Sequence, residues 1–400
     1  MNPLDPGPTV DLHLDAARFA VPPPVPSPRS VPRAGLAGLA ALAALASACA
    51  SAPRPPAATG PGAPVAIEFP PQELTVSKLD LELEGKGEDE LFALGMAAYE
   101  AKDWARAAAA FARVADRFPG SRREATALLD AGLAYRKLRE WRLALERFQA
   151  LARGWEGADA LEASFLAAEC QFELDDLAAA HATLTGIAAR PDLGAPDRVR
   201  ALAQLGVVEL EDGRAGQAEG TLRRALAIWI GLEEGRRAAL DPYWAAQAQY
   251  YLGEVHRAAF LGVDVDPTTA GEARLEAALE EKSTLLLKAQ GHYLKAIHMG
   301  DQRWAVAAGY RVGELYDAFR EQLLDAPVPP ELDAEHATAY RDELRRRVRV
   351  LADKAVGAYR AALDFARRQG VSLELLADAQ QALERLQAAL GEERGPAAEM

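Results

Sequence analysis

Residues 91–117, LFALGMAAYEAKDWARAAAAFARVADR, return 37 residues later as residues 128–154, LLDAGLAYRKLREWRLALERFQALARG. Gly95, Trp104, Ala107 and Phe111 of the first copy stand over Gly132, Trp141, Ala144 and Phe148 of the second. The same internal spacing recurs in Ala168, Leu177, Ala180 and Leu184, and again in Gly206, Ala215, Ala218 and Leu222. A period of this length is the signature of a stacked supersecondary unit. Small residues at Gly95 and Ala107 let two antiparallel helices touch, while Trp104 and Phe111 fill the holes between hairpins. Phe118-Pro119-Gly120-Ser121 supplies the breakers that end the first unit.

Composition agrees with that reading. Half of the 400 residues are apolar, alanine is abundant, and β-branched residues seldom occur in runs, so packed helices are expected. The net charge of −14 argues against unspecific nucleic-acid binding, which needs a basic surface. Two cysteines, Cys49 and Cys170, make no disulfide framework. Cys170 lies among Phe165, Leu166 and Phe172, the setting of a small buried hydrophobe more than of a reactive thiol.

The first copy, with Leu94, Gly95, Tyr99, Trp104, Ala107, Phe111 and Pro119, resembles the tetratricopeptide repeat. The resemblance covers residues 88–235 as four repeats and implies an all-α, right-handed solenoid of antiparallel helical hairpins. The lengthened inter-repeat turn is similar to that of extracytoplasmic bacterial lipoproteins, such as the helical component of the β-barrel assembly machine. Beyond residue 236 the helical period continues in longer helices. Leu252-Gly253 and Val312-Gly313 read as first helices, with Ala289, Tyr293 and Ala296, then Ala355, Tyr359 and Ala362, as their second helices. Pro329-Pro330 and Gly370 bound the last long stretch. Residues 236–390 are read as a repeat-derived pair that resembles the C-terminal part of myxobacterial gliding-motility repeat lipoproteins, and 391–400 as a flexible tail.

The N-terminus reads as an address. Arg33, an apolar run from Ala34 to Ala46, and small residues before Cys49 make a secretory signal over residues 31–48. Its end resembles a bacterial lipobox, which implies that Cys49 is lipidated; Ala46 occupies the place where the pattern prefers leucine. The alternatives are an uncleaved helix or an ordinary signal peptide. Residues 1–30 fit no part of a signal and are read as an untranslated leader. Residues 49–87 hold a Pro/Gly/Ala-rich tether and a short extended segment in which Leu79, Leu81 and Leu83 alternate with Asp80 and Glu82. Alternation is a strand pattern. This segment either adds as a strand to the sheet edge of a partner, or lies extended along the first repeat or is disordered.

No Walker element, dinucleotide fingerprint, nucleophile elbow or metal-spaced histidine pair is present, so no catalytic residue, metal or cofactor is expected. The run Arg341, Arg345, Arg346, Arg347 and Arg349 reads as a solvated helix face, since Asp342 and Glu343 stand four places before Arg346 and Arg347; the alternative is an anion-binding patch. Groove positions are expected on the first helices, a few places past each glycine: Tyr99, Tyr135, Arg136, Phe172 and Glu209, with Ala98 and Gln171 in the same register. The resemblances imply a lipid-anchored scaffold of an envelope machine, of gliding-motility or trans-envelope type, on the periplasmic side of the outer membrane. Its expected partners are envelope proteins, with neither nucleic acid nor a small-molecule substrate. The alternative is a biogenesis factor for outer-membrane barrels.

Overall fold

The computed structural model describes residues 78–265, 272–329 and 332–392, and within them every regular element is a helix. The signal, Cys49, the tether and the tail from residue 393 lie outside the described residues. The chain divides into a unit of residues 25–84 and a unit that contains residues 85–400. In the smaller unit the described element is α1 (Lys78–Leu83), a short helix. This corrects the extended reading of Leu79, Leu81 and Leu83. Lys, Leu, Asp and Glu are the only residue types in the stretch, none is β-branched, and without a pairing edge helix propensity prevails over a short alternation.

The larger unit begins with four helical hairpins: α2 (Glu88–Glu100) with α3 (Trp104–Arg117), α4 (Glu124–Lys137) with α5 (Trp141–Gly154), α6 (Ala158–Glu173) with α7 (Leu177–Ala188), and α8 (Ala195–Glu211) with α9 (Ala215–Ile230). Each turn is built the same way. Lys102, Arg139, Asp175 and Gly213 take left-handed φ angles of 60°, 61°, 62° and 76°. The next residues, Asp103, Glu140, Asp176 and Arg214, donate their N–H to the carbonyls of Ala98, Tyr135, Gln171 and Glu209 at 2.8–2.9 Å. That bond satisfies orphan carbonyls at the helix end and reverses the chain. Asp103 and Asp176 then cap the following helix, accepting from the N–H of Arg106 and Ala179.

The glycines set how closely the arms approach. A Cβ on Gly95 would lie 2.7 Å from the Phe111 ring, one on Gly132 2.4 Å from Phe148, and one on Gly206 2.5 Å from Leu222. These partners are fully buried, so each glycine is the hole into which the opposite side chain fits.

After the short α10 (Glu234–Ala238) the same contact recurs in longer arms. In α11 (Tyr243–Gly262) and α12 (Glu272–Ile297), Gly253 lies under Tyr293, and in α13 (Gln302–Asp325) and α14 (Ala334–Gln369), Gly313 lies under Tyr359, with Cβ distances of 2.5 and 2.6 Å. Gly370, at φ 67°, stops α14. The amphipathic α15 (Leu375–Glu392) lays Ala379, Ala382, Leu383 and Leu386 against the array and turns its polar face outward. The fold is an all-α solenoid of helical hairpins whose last repeats have elongated helices. Among the described residues no helix is long and apolar enough to cross a membrane.

Candidate partner-binding site

The first helices of successive hairpins are neighbours: α4 packs on α6, α8 on α11, and α11 on α13. Their shared face is tied by polar contacts between hairpins. Arg123, at the start of α4, pairs with Asp89 of α2 at 2.8 Å and lies 4.5 Å from the Phe92 ring. Arg136 of α4 faces Glu169 of α6 at 3.5 Å, and both are buried. Arg200 of α8 binds Glu162 of α6 through both terminal nitrogens, with its guanidinium 4.0 Å from Phe165 and 4.9 Å from Trp244. Arg311 of α13 pairs with Glu254 of α11 at 3.0 Å and donates to the Tyr250 hydroxyl. Arg385 of α15 pairs with Asp317 of α13.

Electrostatics follow burial and partner. Burial pushes the Glu169 carboxyl up, with Arg136 opposing. Burial also acts to raise Glu254, but Arg311, Arg257 and the Tyr293 hydroxyl outweigh it and hold that carboxyl below its ordinary range. Asp130 has no such cation: burial, then Asp159, push it up to about 7.

The step from α2 to α4 is different. Phe92, Met96 and Tyr99 stand at i, i+4 and i+7 on α2, and with Tyr135 of α4 they cover the buried cluster of Ala98, Ala107, Phe111, Ala131 and Ala134 while remaining partly exposed. Trp104, also half-buried, meets Tyr99 edge-on at 5.0 Å and takes Lys137 over its ring at 5.7 Å. Large rings with one face packed and one edge in water are the residues that anchor protein partners.

The expected groove residues therefore separate. Tyr99 and Tyr135 come together on this aromatic face, and burial raises the Tyr135 phenol above its usual range. Phe172 is half-buried at the end of α6. Arg136 and Glu209 are corrections to a freely presented groove: both are buried, Arg136 against Glu169 and Glu209 against His181 of α7 at 3.4 Å. Removing Arg136 leaves the buried Glu169 uncompensated, at about 3–5 kcal/mol, so its substitution tests folding first. Gln171 is likewise buried, accepting from the Thr183 hydroxyl. Phe92, Met96 and Trp104 were not singled out as face residues from sequence; the i, i+4, i+7 relation of Phe92 and Met96 to Tyr99 was the available signal.

Elsewhere, Cys170 is fully buried and its thiol is pushed up by burial, which fits the packing role. Arg345, Arg346 and Arg347 pair with Asp342 and Glu343 on an exposed face of α14. Lys282, fully buried, donates to the carbonyls of Phe260 and Val263 and so caps the C-terminal end of α11.

These features define a helical-hairpin repeat protein with a partly exposed aromatic face at its first two repeats. A family model described as tetratricopeptide repeat matches residues 91–121, the first hairpin and the turn that follows it. No curated protein matches the chain. Among solved structures, the chain is similar to MamA protein, at 17% identity over 50% of this chain and 91% of that one with a TM-score of 0.33. It is similar to the apo form of RapI, at 11% identity over 76% and 99% with a TM-score of 0.41. It is also similar to the C-terminal part of a TPR repeat-containing protein from Cytophaga hutchinsonii, at 11% identity over 74% and 95% with a TM-score of 0.39. At such values function has to be argued from this chain's own surface.

Proposed function

We propose that the chain is a non-catalytic, lipid-anchored scaffold of a bacterial envelope machine, of gliding-motility or trans-envelope type, which holds segments of partner proteins on the first-helix face of its N-terminal repeats. The observation that carries the binding role is the aromatic row of Phe92, Met96, Tyr99 and Tyr135. It is packed from behind by alanines and Phe111 and keeps part of its surface in water, with the Arg123 guanidinium over Phe92. Later steps of the same face are closed by buried pairs such as Arg136 with Glu169. The anchoring role rests on the signal-like run ending at Cys49, and the choice of machine rests on the resemblance of the long-helix region to motility lipoproteins.

The test is to replace Tyr99 and Tyr135 singly with Ala, confirm folding by circular dichroism, and quantify cross-linked envelope proteins recovered with the chain. Loss of a true anchor weakens binding by about 2 kcal/mol or more, roughly thirtyfold. Wild-type recovery with both variants rejects this face as the working surface. Cys49→Ser is expected to abolish detergent-phase partitioning, and unchanged partitioning rejects the anchor. The lengthened turn at Phe118 to Ser121 supports a second reading, a biogenesis factor for outer-membrane barrels. Recovery of barrel-assembly subunits in place of trans-envelope components identifies it.

A further inference from the structure

His256 of α11 and His292 of α12 stand far apart in sequence, yet their rings stack across the long hairpin with centroids 5.2 Å apart and planes 27° from parallel. Both are half-buried. Nδ1 of His292 lies 2.6 Å from the side-chain amide of Gln249, which fixes the orientation of the ring. The stack lies beside a contact that binds the array together. Tyr293, the neighbour of His292, seats on Gly253 and donates its hydroxyl to Glu254, which pairs with Arg311 of α13.

The charges around the pair are mostly positive. Glu219 and Arg223 face it from α9, and Lys288 and Lys295 from α12. Glu219 pairs with Arg223 at 2.6 Å and is the one carboxylate that favours a proton on the rings, against three cations and the burial that oppose it. A proton on either ring would meet these cations, and a second proton would meet the first one as well.

We propose that the His256–His292 stack is an acid-sensitive latch on the α11–α12 hairpin, closed while both rings are neutral and released when they protonate. Burial, ahead of the neighbouring charges, lowers both pKa values below the ordinary histidine value, His292 to about 4. The sign follows from linkage. A histidine whose folded pKa is depressed takes up its proton more readily in the open state, so closure is intact above about pH 6.5 and is lost as pH falls toward 4. Released, α12 loses its register on α11, and Tyr293 is no longer held against Gly253. The long arms would then loosen while the first four hairpins stay folded.

Two measurements on the full-length protein test this. Histidine-selective NMR titration should show both rings protonating below the ordinary histidine value, His292 near 4, and His256→Gln should move the His292 ring upward. Both rings titrating near 6.5 in the wild type overturns the proposal without any variant. Hydrogen–deuterium exchange, corrected for the intrinsic effect of pH, should rise about tenfold or more in α11 and α12 between pH 7.5 and 4.5. It should rise little in α2 to α5, and the His256→Gln/His292→Gln double variant should lose the difference. Exchange that rises equally in that variant, or uniformly through the chain, also overturns the latch.

Discussion

Adding a single methyl group at Gly132 is the sharpest perturbation of the repeat geometry. The new Cβ would sit 2.4 Å from Cε1 of Phe148 and 2.8 Å from Cδ1 and Cζ, about 1 Å inside normal carbon contact. Phe148 is fully buried and has nowhere to swing, so the arms of α4 and α5 must separate. Overpacking of this kind costs ~1–3 kcal/mol, and an overlap with a ring face belongs at the upper end. Alanine returns about 1 kcal/mol through helix propensity, so Gly132→Ala should destabilise by ~2 kcal/mol net. Gly220→Ala is the control, since a Cβ there meets nothing within 4 Å; it should stabilise α9 by ~0.5–1 kcal/mol. Repeat three places Ala168 and Leu184 in this register, both fully buried. Gly132→Ala/Phe148→Leu should therefore fall short of the sum of its single changes. Urea unfolding followed by circular dichroism reads the wild type and the four variants, Phe148→Leu alone included. Equal stability of Gly132→Ala and Gly220→Ala would refute the seated-ring account of the repeat.

Three further outcomes are expected. Lys102→Gly, Arg139→Gly and Asp175→Gly should each raise the unfolding free energy, by up to ~1 kcal/mol in urea titrations, because each of these residues holds a left-handed φ that glycine adopts without strain. Asp130, pushed up to about 7 mainly by burial, favours the fold below its unfolded pKa of 3.8 and loses that contribution as pH rises through 7. Asp130→Asn should thus gain stability over wild type at pH 8, by up to ~4 kcal/mol, and lose the advantage near pH 4 in thermal melts at both values. Lys282→Met keeps the apolar stem and removes two donors from the end of α11, so it should cost ~2–4 kcal/mol, read as faster amide exchange at Phe260 to Val263.

The hairpins were legible in the sequence because what makes them is local. A small residue and a large one at a fixed separation specify one helical hairpin of the first four repeats; in the lengthened arms the same contact recurs at wider separations, Gly253 with Tyr293 and Gly313 with Tyr359. Tyr99 and Tyr135 were within reach of the same register argument. The short segment at Lys78 to Leu83 was not: its alternation is too brief to outweigh the helix preference of Lys78, Glu82 and the three leucines, and it folds as α1. Spacing within a repeat says nothing about how one repeat leans on the next. Only the tertiary structure decided that Arg136 turns to Glu169 and is buried, that Glu209 turns to His181, and that His256 and His292 meet. Those contacts join side chains from different helices, and their geometry depends on the packing angle between helices, which depends on every side chain at the interface and on no single motif.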